Sequence, residues 1–202
     1  MSQDKGEDRE PVVTIKLASS SDELLQCYAL RAAVFMGEQH CPYFEEFDGN
    51  DYTATHIIMY VDGEPAGSMR IRWFQSFAKL ERCVFLRRYR SQGLFQNFVR
   101  WAMSFCARKG YAKAYLHLQK RLLPIMEREG FRRVDDKVFN FSDHEYYAVV
   151  ADLRVPARLL NIETDPMVLN RPEDRMEMPG VLEDSVARGA SSPHVAWERR
   201  TN

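Results

Sequence analysis

Long apolar runs are missing from this chain. The longest, such as Ile57-Ile58-Met59-Tyr60-Val61, are a few residues, against the ~20 that a membrane-spanning helix needs. An excess of one charge is missing too. Lys plus Arg number 28 and Asp plus Glu 29, for a formal net charge of -1. A dedicated nucleic-acid binder carries a clear basic excess, so that class is disfavoured. Cysteine is sparse: Cys27, Cys41, Cys83 and Cys106 form no C-x-x-C pair and have no zinc-ligand spacing. The start, MSQDKGEDREP, lacks the apolar stretch of a secretory signal. Reduced thiols and a cytoplasmic location are therefore expected. His56, His117 and His144 are too scattered to suggest a metal, and no metal cofactor is expected.

What is present fits a soluble globular protein. The chain has 202 residues, 45% hydrophobic and 28% charged, enough for one domain and a tail. Residues 1–11 read as a flexible arm and 12–156 as the domain. Residues 157–202 carry Pro166, Pro172, Pro179 and Pro193, many charges and few aliphatics. With no hydrophobic period, they read as an extended C-terminal tail, in part disordered, able to dock on the domain or on a protein partner.

Within the domain the pattern is regular. Val12–Leu17 has strand composition. Ser20 and Glu23 form a capping box, and helical spacing carries on to about residue 36. Arg31 interrupts the apolar stripe of this helix. Its head either snorkels to solvent or is held by buried carboxylates. Residues 37–54 read as a loop rich in acids, Glu45, Glu46, Asp48 and Asp51. Strands are expected over 55–61, 65–74 and 77–86. In the second of these, Gly67, Met69, Ile71 and Trp73 alternate with Ser68, Arg70, Arg72 and Phe74, which suggests one packed and one open face. Leu94, Phe98, Trp101, Ala102 and Phe105 mark an amphipathic helix closed at Gly110. A strand over 111–118, a helix over 122–129 and a hairpin over 131–153 complete the order β, α, βββ, α, β, α, ββ. The fold class is α/β with a mixed sheet: the meander is antiparallel, the strand–helix–strand unit forces parallel pairing, and helices flank both.

One local pattern carries chemistry. A strand runs into the basic loop Arg87-Arg88-Tyr89-Arg90-Ser91-Gln92-Gly93 and then a helix. Backbone N–H groups at such a helix start form an anion site, which the helix dipole and nearby arginines strengthen.

The run Glu81-Arg82-Cys83-Val84-Phe85-Leu86-Arg87-Arg88-Tyr89-Arg90-Ser91-Gln92-Gly93-Leu94-Phe95, with Gly130-Phe131 after the later helix, resembles the GNAT superfamily of acyl-CoA-dependent N-acyltransferases. Leu30–Tyr43 and Phe47-Asp48-Gly49-Asn50-Asp51 look most like its ElaA-type branch. The resemblance covers about 12–153. It implies acetyl-CoA or another acyl-CoA as co-substrate and an amine, small or on a protein, as acceptor. It also implies direct attack of that amine on the thioester. The amides of Val84 and Phe85 would meet the acyl and pantetheine arm. Those of Ser91, Gln92, Gly93, Leu94 and Phe95, with Arg90, would meet the pyrophosphate. Glu81 is the matching general base, or else a partner for Arg31, Arg70 or Arg82. Two positions depart from the family pattern. Phe95 stands where a glycine or alanine is usual, and Met126 where a tyrosine acid is common.

A partial likeness to acyl-homoserine-lactone synthases, which share the fold, adds a structural expectation. Arg31, Glu46, Asp48, Asp51 and Arg82 would form a guanidinium–carboxylate network. It also implies that a basic face of Arg87 to Arg90 with Arg100 could meet an acyl carrier protein as donor. Two rivals to acyl-CoA transfer thus remain: transfer from a carrier protein, and a degenerate GNAT domain that works by protein binding.

Overall fold

The computed structural model describes residues 9–90, 93–141 and 144–188. The arm over 1–8, the loop residues Ser91 and Gln92, the hairpin tip at 142–143 and the end of the tail lie outside these. The chain divides into two compact units, Met1–Ala157 and Arg158–Asn202.

The first unit is built on seven strands: β1 Val13–Leu17, β2 Thr55–Val61, β3 Glu64–Trp73, β4 Ala78–Phe85, β5 Lys113–Gln119, β6 Arg132–Phe141 and β7 His144–Asp152. They lie in the order β1-β2-β3-β4-β5-β7-β6. Only β4 and β5 are parallel. The helix between them, α3 over Leu94–Arg108, is the crossover that makes this possible. Its Leu94, Phe98, Val99, Ala102, Phe105 and Cys106 are buried. They pack with Ile57, Met69, Ile71, Leu116, Leu118 and Val149 in the main core. Helix α4, Leu123–Arg128, adds Met126 to the same core. A smaller core joins Cys27, Leu30 and Val34 to Ile58 and Val84. It lies under α1, Ser21–Arg31, which starts at the expected Ser20 cap, whose side chain accepts from the Glu23 N–H.

Two local features differ from the reading of the sequence. The first helix does not run on as one α-helix. After Arg31 it continues as a π-helix, Ala32–Glu38. The wider turn changes where Phe35 and Glu38 point, and such turns recur at functional sites. The loop after it holds a short helix, α2 Tyr43–Glu46, and a 3₁₀ turn at Asp51–Thr53. The second difference is in β3. Its polar positions do not face solvent: Ser68 and Arg70 are fully buried. Helix α1 packs on β2, β3 and β4, so both faces of β3 are covered and the period of two separates two cores rather than core from water.

A bulge sits opposite Arg70. Ser68 pairs with Val84, but Arg70 pairs with Glu81, so β4 holds one residue more than β3 across this stretch. The bulged backbone passes through Arg82, whose φ is +53°, a left-handed value uncommon for a side-chain-bearing residue. Bulging bends a strand away from its neighbour. Accordingly β4 and β5 pair only at Ala78–Ala114 and Lys79–Tyr115. Beyond these the two strands fork.

In the second unit, α5 spans Pro166–Leu169 and a 3₁₀ turn spans Asp184–Ala187. Arg171 binds the Glu183 carboxylate with Nε at 3.2 Å and Nη2 at 2.7 Å.

Gly67 is needed for close approach at the fork. A Cβ there would lie 2.7 Å from the Phe85 ring and 2.8 Å from the Val84 carbonyl oxygen. Gly67→Ala is expected to destabilise the protein by about 1–3 kcal/mol through overpacking, read as a lower denaturant midpoint at unchanged slope.

Candidate active site

Three elements meet at the fork: the bulged end of β4, the start of α3, and the acidic loop between the π-helix and β2. Each is held by an arginine.

Arg70 reaches from β3 into the acidic loop. Its Nη1 and Nη2 grip Asp48 as a fork, at 2.8 Å to Oδ1 and 2.7 Å to Oδ2. The same Nη1 donates to Asp51 Oδ1 at 2.9 Å, and Nε donates to Glu81 Oε1 at 3.0 Å. Arg31 comes from the other side. Its Nε donates to Glu46 Oε1, and its Nη1 meets Asp51 Oδ1 at 2.6 Å. Asp51 Oδ1 is thus shared by two guanidiniums. The Arg31 head also lies 5.6 Å from the Tyr28 ring centroid and 5.5 Å from that of Phe47, favourable for a desolvated cation. Arg82, on the bulge, lies 3.2 Å from Glu46 Oε2 and 3.3 Å from Asp48 Oδ2. It also donates to the Glu45 carbonyl. Lys79 Nζ meets Glu81 Oε2 at 2.9 Å. Arg31, Arg70, Arg82 and Lys79 form one knot with Glu46, Asp48, Asp51 and Glu81, and Arg72 stands at its edge, 3.9 Å from Glu81 Oε1.

The acids respond differently to burial. Burial alone would raise Asp48 and Asp51, but hydrogen bonds from Arg70 to both, from Arg31 to Asp51 and from Asn50 to Asp48 outweigh it and lower both, Asp48 strongly. Glu46 is more deeply buried, and there burial wins over Arg31 and Arg82 and its carboxyl is raised. Burial lowers His56, whose Nε2 meets the Asp51 carbonyl at 3.1 Å.

All five residues expected in a network (Arg31, Glu46, Asp48, Asp51 and Arg82) lie in this knot. Its central cation, Arg70, was read from sequence only as a partner for Glu81. A signal was available: four acids in the loop against Arg31 and Arg82 call for a further cation. The open-face reading of β3 hid it. Glu81, the candidate base, has both oxygens engaged by Arg70 and Lys79.

At the other end of the fork, Gly93 caps α3 with φ +71° and, among the described residues, no neighbour within 4 Å of where a Cβ would stand. The first N–H groups of the helix, from Leu94 and Phe95, have no partner within the helix. Ser91 and Gln92 lie outside the described residues. The Phe95 ring packs against the main core, and Met126 is wholly within it. Arg90 ties the end of β4 to the π-helix: Nε donates to the Phe85 carbonyl at 2.9 Å, and Nη2 pairs with Glu38 at 2.7 Å. The Leu86 N–H goes to the Ala66 carbonyl on β3 at 3.0 Å. A planar trans peptide points its C=O the opposite way, so the Phe85 carbonyl faces the gap. Val84, one residue back, pairs with Ser68 on the β3 side. Arg100, read as part of a basic face, is bound to Glu129 at 2.6 and 2.7 Å.

The site is thus a sheet forked beside a glycine-capped helix, downstream of an antiparallel meander. The family model for the acetyltransferase (GNAT) family matches residues 23–131, and the chain belongs to that family. The "Uncharacterized N-acetyltransferase YjcF" of Bacillus subtilis (strain 168) is 30% identical over 124 residues, 61% of this chain and 88% of the relative. Among solved structures, an acyl-CoA N-acyltransferase from Pseudomonas aeruginosa superposes with a TM-score of 0.63 at 26% identity, over 70% of this chain and 99% of that one. Escherichia coli ElaA superposes with a TM-score of 0.62 at 22% identity, over 70% and 99% of the two chains, so the ElaA-like fold read from the sequence is present.

The knot sets a pH dependence. Asp48 and Asp51 are lowered on folding from an ordinary 3.8. The native state then binds fewer protons there, and their stabilisation is complete above that value and lost as pH falls below it. Glu46, raised, works in the opposite sense and offsets part of the loss. Arg70→Met is expected to cost about 3–5 kcal/mol at neutral pH, the effect of stranding buried charge. It should also flatten the acid limb below pH ~4, checked by urea midpoints from pH 2 to 7.

Proposed function

We propose that this protein is an N-acyltransferase in which an amine attacks acyl-CoA directly, with acetyl-CoA as donor and a small or protein amine as acceptor. The observation that carries this reading is the fork. After Lys79–Tyr115 the strands separate, leaving room for an extended thioester arm to complete the sheet with its own amides. The donors of Leu94 and Phe95 at the start of α3, with those of Ser91, Gln92 and Gly93 before them, would take the diphosphate. The Phe85 N–H, rather than that of Val84, would meet the arm, because Val84 is turned toward β3 and the Phe85 carbonyl already accepts from Arg90.

The residues suit such a ligand. Space over Gly93 is open, the α3 dipole favours an anion there, and Arg90 is within the same loop. The Phe95 ring, packed on the core, does not stand in for the missing glycine as an obstruction. Glu81 acts in this reading as the anchor of Arg70 and Lys79.

Isothermal calorimetry with acetyl-CoA tests the proposal. Micromolar binding is expected. Arg90→Ala should weaken it about tenfold, or ~1.4 kcal/mol. Phe95→Gly should lower stability without tightening binding. Wild-type protein that binds no acetyl-CoA would overturn the reading. Capture of an acyl carrier protein instead would move the donor, and capture of neither would leave a binding domain.

A further inference from the structure

We propose that the acceptor is a small primary amine on an aromatic or apolar body, seated on the open face of β5, β7 and β6, with His117 receiving its proton. This rests on the acyltransfer reading above and names its second substrate.

The placement starts at the fork. Tyr115 is the last residue of β5 paired to β4. His117 stands two residues further into the fork, about 7 Å along the strand, on the same face. The other face of β5 is closed: Ala114, Leu116 and Leu118 belong to the α3 core. An amine approaching a thioester in the gap must therefore come over Tyr115 and His117.

That approach is lined with rings. Phe77 lies 5.3 Å from Tyr115, Tyr115 lies 5.3 Å from His117, and His117 lies 4.8 Å from Phe139. Phe141 and Tyr146 continue the surface, 5.1 Å apart. These rings are half-buried to exposed, Phe141 being 52% exposed. They form one apolar platform that ends at the fork, large enough for a single aromatic group. Asp135 acts on Tyr115 from the β6 side, but the carboxylates nearer the fork are already paired. Lys79 and Arg72 stand over Glu81, which they already share with Arg70, and the acids of the loop are spent in the knot. Glu81, Asp48 and Asp51 beside the fork are thus already held by cations, which disfavours a polyamine.

The proton acceptor follows from what is left. Glu81 has cations on both oxygens, and Met126 is core. His117 is fixed by Tyr115, whose Oη lies 3.0 Å from its Nε2, and by the flanking rings. Burial, then Lys79, lowers its pKa to about 4 despite Glu81, so the ring is uncharged beforehand and takes its proton from the strongly acidic ammonium of the adduct rather than from the free amine. In the reaction the amine nitrogen attacks the thioester carbonyl carbon and forms the C–N bond. The surplus N–H proton passes to a His117 ring nitrogen. Collapse breaks the C–S bond, and the proton leaves on the thiolate as free thiol.

The test measures thiol release from acetyl-CoA with phenethylamine, ethanolamine or spermidine, alongside calorimetry of acetyl-CoA alone. Phenethylamine is expected to exceed the other two at least tenfold in kcat/KM. Phe139→Ala combined with Phe141→Ala should raise its KM about tenfold with kcat within threefold. His117→Gln, which can keep the bond to Tyr115 but is no base, should lower kcat about 100-fold or more with acetyl-CoA affinity unchanged. Equal use of spermidine, an unchanged kcat in His117→Gln, or no release with any of the three by protein that binds acetyl-CoA would overturn this inference alone. Failure of the wild type to bind acetyl-CoA would overturn the acyltransfer reading with it.

Discussion

Arg70 ties the molecule together. Its guanidinium is fully buried, yet Nε and both terminal nitrogens donate, to Glu81, Asp48 and Asp51. A buried cation is tolerable only when so satisfied. The consequence is positional. The acidic loop cannot slide along the sheet without breaking a bidentate pair, and α1 cannot shift without pulling Arg31 off the same Asp51. Loop, first helix and sheet are located by one shared set of charges.

The knot also reaches the fork. Arg82 carries the left-handed φ that makes the β4 bulge, and its side chain is tied to Glu45, Glu46 and Asp48. Backbone strain of this kind costs of order 1–3 kcal/mol and persists where the surroundings over-determine it. Here those surroundings are the acids of the loop. The bulge bends β4 away from β5, and the departure of β4 opens the gap. Charge pairing far from the helix start thus sets the shape of the slot beside it.

The same sheet is treated differently in its two halves. Over β2–β4 both faces are covered, by α1 on one side and α3 on the other, so polar residues inside had to be paired. Over β5–β7–β6 only the α3 face is packed, and the other face carries rings at the surface. The fork divides the two halves, with a charge-saturated wall on one side and one rich in aromatic rings on the other.

Much of the architecture was legible in the residues. Strand and helix limits agree within a few positions, because the apolar periods, the Ser20 cap and the glycines after helices act locally. The glycine loop, Glu81–Phe95 as one run, and the acids of the network were visible as well. The burial of Arg70 was not, since alternation along β3 is the same whether its polar side faces water or a second layer. The π-turns after Arg31 were not either, since the apolar spacing there is compatible with an ordinary helix. Nor was the role of Phe95, whose ring direction depends on what α3 packs against.

By itself the sequence determined the order of elements, the one parallel crossover and the surplus of acids in the loop, all of which are short-range or compositional properties. Only the tertiary structure decided which cation each acid would hold, that β4 would bulge at Arg82, and that His117 would stand among rings beside the fork. Those outcomes depend on groups far apart in the chain competing for the same buried space, where desolvation makes every unpaired charge costly and leaves one arrangement that pairs them all.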